Sequence, residues 1–429
     1  MKSLIAKWWG FSALLVIYKC LLDYVFLSVY YRVFSYMTGA QYQYNEYKYL
    51  ISWFILIALL FVLLSFFSDE KVYTVVVTII LGVCIIPMLS VYAFVDYIDV
   101  VEIIYPMIYW SIVLLFFSRY TKNENNYRQR IRLPRIKNGE SIIFFVVVIL
   151  GLGCWVWAGA PLLTSLSDSI TQRIALRENS MPTLLGYIFT LSGGVIIPYY
   201  FGRYLDKGKI AMAIFSFIIG FLLYSVNGLK TWLFLYLFAI ALYTLCGFFK
   251  DNTVVISCAI IGGLCAVLLI CVGIFVVWGK IDFISQFGRV VCIPNGIGFK
   301  SINFFNQNEL LYLRESLLKS IFQTPYVGGS DFYIDYGSAS TITSSRSNNG
   351  LWGDAYRNFG LLGMFVYSVG FAKTIDIVRN SLSGMSYRFT IFILFLSIWN
   401  AVNVSLFTWL LTGGVIVLII LNKMLNHHV

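Results

Sequence analysis

Arginines stand in this chain where an almost wholly apolar sequence has little use for them. Arg173 and Arg177 are i,i+4 neighbours in the polar stretch 159–182. Read as a helix, 163–177 puts both on the same side as the apolar stripe Leu163, Leu166, Ile170 and Ile174. A guanidinium turned to that side wants an anionic partner. The plainer alternative is snorkelling, with the stems on lipid and the heads in water. Further basic residues, Lys280, Arg289, Lys300, Arg314, Lys319, Arg346 and Arg357, occupy a second polar stretch, 280–357.

That second stretch is the more informative one. It lies between the apolar runs 254–278 and 359–372 and has no long apolar segment of its own. A polar insert of this length adds no stability to a membrane protein, and long loops are mostly functional. Within it, 308–322 reads as an amphipathic helix. Leu310, Leu313, Leu317, Leu318 and Ile321 form its apolar face and Asn308 its cap, so it would rest on the membrane or lid the spans. Residues 326–336 are dense in aromatics, and 337–350 are nearly all Ser, Thr, Gly and Asn around Arg346. Such a loop cannot build a core, but it suits polyols: Tyr and Trp faces for sugar rings, small polar groups for hydroxyls. A plain surface loop is the alternative. The insert closes on Asp354, Tyr356 and Arg357.

The elements that must position these residues are membrane helices. Hydrophobic residues make up 59% of the 429-residue chain and charged residues 12%, against about a quarter charged in a soluble domain. Apolar runs long enough to cross a bilayer, about 20 residues each, fall at 8–30, 50–67, 72–94, 102–118, 141–158, 183–200, 210–226, 231–248, 254–278, 359–377, 389–406 and 407–424. The first follows Lys2 and Lys7 as a signal peptide would, but it runs too long and lacks a cleavage site. The expected fold is therefore an all-α integral membrane protein of about twelve spans. It divides into 1–278, with the smaller loop 159–182; the large loop 279–357; and 358–429.

Charge orients it. Lys and Arg crowd 119–137 and recur in register near Arg203, Lys207 and Lys209, at Lys250, and at Lys373, Arg379 and Arg388. The excess of positive charge predicts these loops and both termini in the cytoplasm. The stretches 31–49 and 159–182, the tight turn Asn227-Gly-Leu-Lys230 and the insert then face the other side. The net charge of +11 is mainly topological. Its split over short loops gives no nucleic-acid signal. The eight cysteines show no CxxC spacing, and the only histidines are the terminal pair His427 and His428, so no metal site is expected. No internal repeat is evident, and the insert has no counterpart in the N-terminal half.

The segment Asn348-Asn-Gly-Leu-Trp-Gly-Asp-Ala-Tyr-Arg-Asn-Phe-Gly-Leu-Leu-Gly363 resembles the stretch leading from the large periplasmic loop into the next helix of bacterial O-antigen polymerases of the Wzy type. The layout of spans and loops resembles theirs throughout, and Asn227–Lys230 sits where relatives carry a short Gly/Ser turn with a basic residue. An Arg-x10-Gly pattern of that family is absent: Leu184 stands where the Gly would follow Arg173, and Lys300 where it would follow Arg289. The resemblance implies an inner-membrane glycosyltransferase without cofactor. It would pass a growing glycan from undecaprenyl diphosphate to a new lipid-linked repeat unit, with lipid-linked donor and acceptor, membrane lipids and a chain-length regulator protein as partners.

That chemistry needs positive charge on the diphosphate leaving group, which bidentate Arg supplies better than Lys. A carboxylate base for the acceptor hydroxyl is the second need. Arg289 is the catalytic cation this implies; Arg173, Arg177, Lys230, Arg346, Arg357 and Tyr356 would bind substrate. A base would come from Asp168, Glu178, Asp282, Glu309, Glu315, Asp331, Asp335 or Asp354, with Asp354 first because it borders the membrane. The plain alternative for Asp354 is an N-cap for a helix starting near Ala355. Two other functions share the layout. An O-antigen ligase would carry a histidine in the large loop, which this chain lacks; a lipid-linked oligosaccharide flippase would show two related halves.

Overall fold

The computed structural model describes residues 2–30, 44–63, 71–120, 139–162, 181–249, 252–280, 282–316, 318, 350–402 and 404–425. These residues are helical almost throughout, and no strand forms among them. Among the described residues, eleven helices are long and apolar enough to cross a membrane: α1 (Trp8–Tyr30), α2 (Glu46–Leu63), α3 (Val72–Phe94), α4 (Val100–Ser118), α5 (Gly139–Trp157), α6 (Thr183–Asp206), α7 (Ile210–Asn227), α8 (Lys230–Phe248), α9 (Thr253–Trp278), α12 (Gly350–Ser381) and α14 (Leu406–Leu425). Between them come α10 (Asp282–Val291), α11 (Ile293–Gln307) and α13 (Tyr387–Ala401). The protein is an all-α, multi-pass membrane protein. Of the expected spans, 389–406 is the one that falls short. Its 15-residue helix reaches about 23 Å, below the roughly 30 Å of a hydrocarbon core.

The chain forms two compact units. Unit 1 comprises Met1–Tyr127, Asn252–Thr374 and Ile398–Thr408. Its centre is α3, buried from Tyr73 to Val95, with α1, α2, α9 and α11 packed around it. A helix apolar on every side has to be interior to its bundle. It carries a π-helical turn at Leu81–Ile85, followed by Pro87. The wider turn absorbs the missing N–H and the bulk of the proline ring. The Gly82 carbonyl there accepts the Tyr18 hydroxyl at 2.8 Å. A Cβ on Gly82 would come within 2.7 Å of Leu264 Cδ1, so α9 lies against bare backbone at this point.

Unit 2 comprises Arg128–Asp251, Ile375–Ser397 and Trp409–Val429. Its α6 carries the same device, a π turn at Ser192–Ile196 followed by Pro198. Gly193 in that turn lies under the Trp232 ring, leaving no room for a Cβ. One short segment therefore does recur, against expectation: Gly82-Val-Cys-Ile-Ile-Pro87 matches Gly193-Gly-Val-Ile-Ile-Pro198, with the π turn in the same register. At the end of α6, Arg203 is only 5% exposed. It donates to Glu140 Oε2 at 3.1 Å and to the Leu425 carbonyl at 3.3 Å, and Lys207 joins the same carboxylate at 2.6 Å. Arg203 thus belongs to the helix and ties α5 to α14, rather than sitting in a connecting loop.

The insert departs most from expectation. It opens with two helices, α10 and α11, joined at Cys292, whose own backbone stays right-handed (φ −99°, ψ −45°). Pro294 occupies the first turn of α11, where its missing N–H costs nothing. Phe299, Ile302 and Phe305 bury the helix against α3 and its neighbours. The amphipathic helix expected over 308–322 is not there in its described part. Asn308 ends α11, its Nδ2 bonding the Phe304 carbonyl at 2.8 Å, and 309–316 are turns with Tyr312 and Leu313 left-handed (φ 48° and 69°). The span after the insert also starts earlier than the apolar run suggests, at Gly350 rather than near 359.

Candidate functional site

α12 is a broken helix. Gly360 has φ 56° and ψ −135°, a combination essentially closed to residues with a Cβ. The break strips the carbonyls just before it of helical partners, and a buried carbonyl must find another. They find the insert: the Arg357 carbonyl accepts from Leu311 N–H at 2.8 Å and the Asn358 carbonyl from Tyr312 N–H at 3.1 Å. Asn358 reinforces this, its Oδ1 accepting from Leu313 N–H at 2.9 Å. The left-handed residues at 312 and 313 are the cost of presenting three successive N–H groups to the broken helix. Arg314 completes the turn through the Leu310 and Leu311 carbonyls, at 2.7 and 2.9 Å, and through Glu309 at 3.0 Å.

The short first piece of α12 holds the residues that the sequence singles out. Asp354 is 3% exposed. Its Oδ1 accepts from Arg357 Nε and from Asn358 Nδ2, both at 3.1 Å, and its Oδ2 accepts from the Leu406 backbone N–H at 3.1 Å. It does not cap a helix starting at Ala355, because its own helix already began at Gly350; it caps α14 instead. Arg357 is half-buried with its Nε fixed by that carboxylate. Tyr356 is buried and points elsewhere. Its hydroxyl donates to Asn306 Oδ1, Asn306 Nδ2 donates to Glu102 Oε1, and Glu102 Oε2 accepts from Asp99 N–H at 2.9 Å. The Tyr105 ring lies 4.8 Å from that of Tyr356. All of these residues belong to unit 1.

Asp354 and Arg357 are thus brought together, while Tyr356 turns to Asn306. Lys230 is the half-buried first residue of α8 in unit 2, after the tight turn at Gly228, where the sequence places one. Arg289 lies in α10. Arg173, Arg177 and Arg346 fall outside the described residues, as do Asp168, Glu178, Asp331 and Asp335. Among the described residues, no group of three or more His, Cys, Asp or Glu side chains is placed to hold a metal ion.

Charged residues also lie inside the helices. Lys19 and Asp23 form a fully interior pair at 2.7 Å in α1, with Lys19 4.6 Å from the Trp53 ring. Their i,i+4 spacing was the available signal. Lys48 bonds the Val95 carbonyl at 2.9 Å. Glu102 was signalled by Asp99-x-x-Glu102, the spacing of a capping box, which forms. Nothing in the sequence pointed to Asn306. Outside the spans, burial pushes the Cys292 thiol up to about 12, with the negative charge of Asp23 adding to the shift. Burial likewise raises the Tyr97 phenol far above its ordinary range; its hydroxyl donates to the Gly296 carbonyl at 2.9 Å.

No family model, no curated protein and no solved structure matches this chain.

Proposed function

We propose that this chain is a membrane glycosyltransferase. It extends a glycan held on undecaprenyl diphosphate by passing it to a new lipid-linked repeat unit at the periplasmic face of a bacterial inner membrane. The observation that carries the reading is Arg357: its Nε is held at 3.1 Å by buried Asp354, in the short first piece of a broken membrane helix. In the reaction, the bond from the anomeric carbon to the diphosphate oxygen breaks and a bond to the acceptor hydroxyl oxygen forms. Undecaprenyl diphosphate departs with the bonding electrons, and its oxyanion takes up the proton that the acceptor hydroxyl gives up. Charge gathers on the diphosphate, where a pre-oriented guanidinium in a water-poor setting stabilises it most. Asp354 then serves to orient Arg357, since three hydrogen bonds already occupy its oxygens. Arg289 and Arg346 are further candidate cations of the same unit, and Arg173, Arg177 and Lys230 are candidate cations of the other, each for the lipid-linked substrates.

A second reading, a lipid-linked oligosaccharide flippase, is favoured by the recurrence of Gly-x-x-Ile-Ile-Pro with a π turn in both units. Paired, interrupted helices are a feature of transporters built from repeats. Deleting the gene separates the readings. A polymerase deletion leaves single repeat units on the lipid A core. Unflipped units accumulating inside the cell would replace the proposal with the flippase. Polymer stranded on the carrier, with none on the core, would replace it with a ligase.

A further inference from the structure

Asn306 is exposed at the end of α11, yet both functional atoms of its amide are held: Oδ1 by the Tyr356 hydroxyl and Nδ2 by Glu102. An exposed amide left to water would sample rotamers freely. This one is clamped by two buried residues, Tyr356 at 6% and Glu102 at 8% exposure, brought from α12 and α4. Glu102 is itself fixed by the Asp99 N–H at 2.9 Å. The chain of hydrogen bonds has one sense, with tyrosine giving to amide and amide giving to carboxylate. Capacity remains at the exposed position: an amide nitrogen has a second hydrogen and an amide oxygen a second lone pair. Asn306 therefore offers a donor and an acceptor side by side in a set orientation, the complement of a vicinal pair of hydroxyls. Half-buried Tyr105 lies 4.8 Å from the Tyr356 ring, an aromatic surface beside the clamping tyrosine.

We propose that Asn306, clamped between Tyr356 and Glu102 with the Tyr105 ring beside the clamp, is a saccharide subsite that reads hydroxyls of the lipid-linked glycan. This rests on the glycosyltransferase reading above. Glu102 and Tyr356 are its positioning residues: they act through Asn306.

The test uses the full-length protein in lipid nanodiscs and two probes, bare undecaprenyl diphosphate and undecaprenyl diphosphate carrying the repeat unit extracted from the same cells. Wild type binds both, the glycosylated carrier more tightly. Asn306→Ala is expected to weaken binding of the glycosylated carrier at least tenfold and to leave the bare carrier unchanged. Glu102→Gln, which keeps an acceptor for the amide, is expected to keep most of the affinity for the glycosylated carrier. Equal weakening of both probes in Asn306→Ala would reduce the cluster to a brace between helices and overturn the proposal. Unchanged binding of both would overturn it as well. If Asn306→Ala does not fold, Asn306→Gln, which keeps the amide but displaces it by one methylene, decides on the same criteria. Wild type binding neither probe would sink the glycosyltransferase reading itself, a failure distinct from the other two.

Discussion

Asp354 spends both carboxylate oxygens inside the protein, on Arg357, Asn358 and the first N–H of α14. Removing one member of a buried charged pair costs about 3–5 kcal/mol, because the other is left uncompensated. Asp354→Ala is therefore expected to lower the melting temperature of the purified protein clearly, and Asp354→Asn, which keeps an acceptor for Leu406, by less. Under the proposed reaction, Asp354→Asn retains part of the polymer length. Complete loss in a folded, abundant Asn variant would return Asp354 to the role of base. Arg357, Arg173, Arg177 and Arg289 are expected to tolerate Lys only in part. A point charge cannot reproduce the planar two-donor fork, and one charged hydrogen bond in a dry site is worth on the order of 3 kcal/mol, or a hundredfold in rate. Full-length polymer in all the Lys variants would remove the diphosphate clamp. Cys292 gives a pH signature. Its thiol ordinarily ionises near 9.0 and in the fold near about 12, so the folded state holds the proton more tightly. Stability from this group is complete below about 9 and is lost as pH rises toward about 12. Melting temperature is expected to fall more steeply above pH 9 in wild type than in Cys292→Ala. Parallel curves would refute the burial argument.

Among elements, the breaks matter more than the regular turns. Gly360→Ala forces a Cβ into a strained backbone region at about 1–3 kcal/mol, or straightens α12 and releases the N–H groups of Leu311 and Tyr312. Either way, faster amide hydrogen exchange is expected at 311–313, and unchanged protection there would show that the break does not depend on glycine. The twin π turns separate by what faces them. At Gly82 the obstacle is the flexible end of Leu264, whereas at Gly193 it is the rigid Trp232 ring. Overpacking costs about 1–3 kcal/mol where neighbours cannot yield. Gly193→Ala is expected to lower the melting temperature substantially and Gly82→Ala only slightly. The reverse order would mean that α9 is the less yielding neighbour.

For the whole molecule, orientation is the claim to test. The excess of positive charge predicts 119–137 in the cytoplasm and the insert outside. In a variant lacking native cysteines, a thiol placed at Ser344 is expected to react with an impermeant reagent in intact cells, and one placed at Asn125 only after lysis. Reaction at Asn125 in intact cells with silence at Ser344 would invert the topology and end the periplasmic reading.

Composition and run length by themselves determined the class: a bundle of apolar helices, each satisfying its own backbone. That constraint is local, so it is written in consecutive residues, and the short turn at Asn227–Lys230 was legible for the same reason. The insert was not. Leucine spacing over 308–322 gave a helix that the described part lacks, while α11 formed one segment earlier. What decided it was non-local: Phe299 and Phe305 had α3 to pack on, and the N–H groups of 311–313 were claimed by carbonyls that a break at Gly360 had freed. The sequence found Asp354, Tyr356 and Arg357 but could not say that Asp354 faces Leu406 or that Tyr356 faces Asn306 and Glu102. Those partners lie far along the chain, and only the packing of the helices brought them within hydrogen-bonding distance.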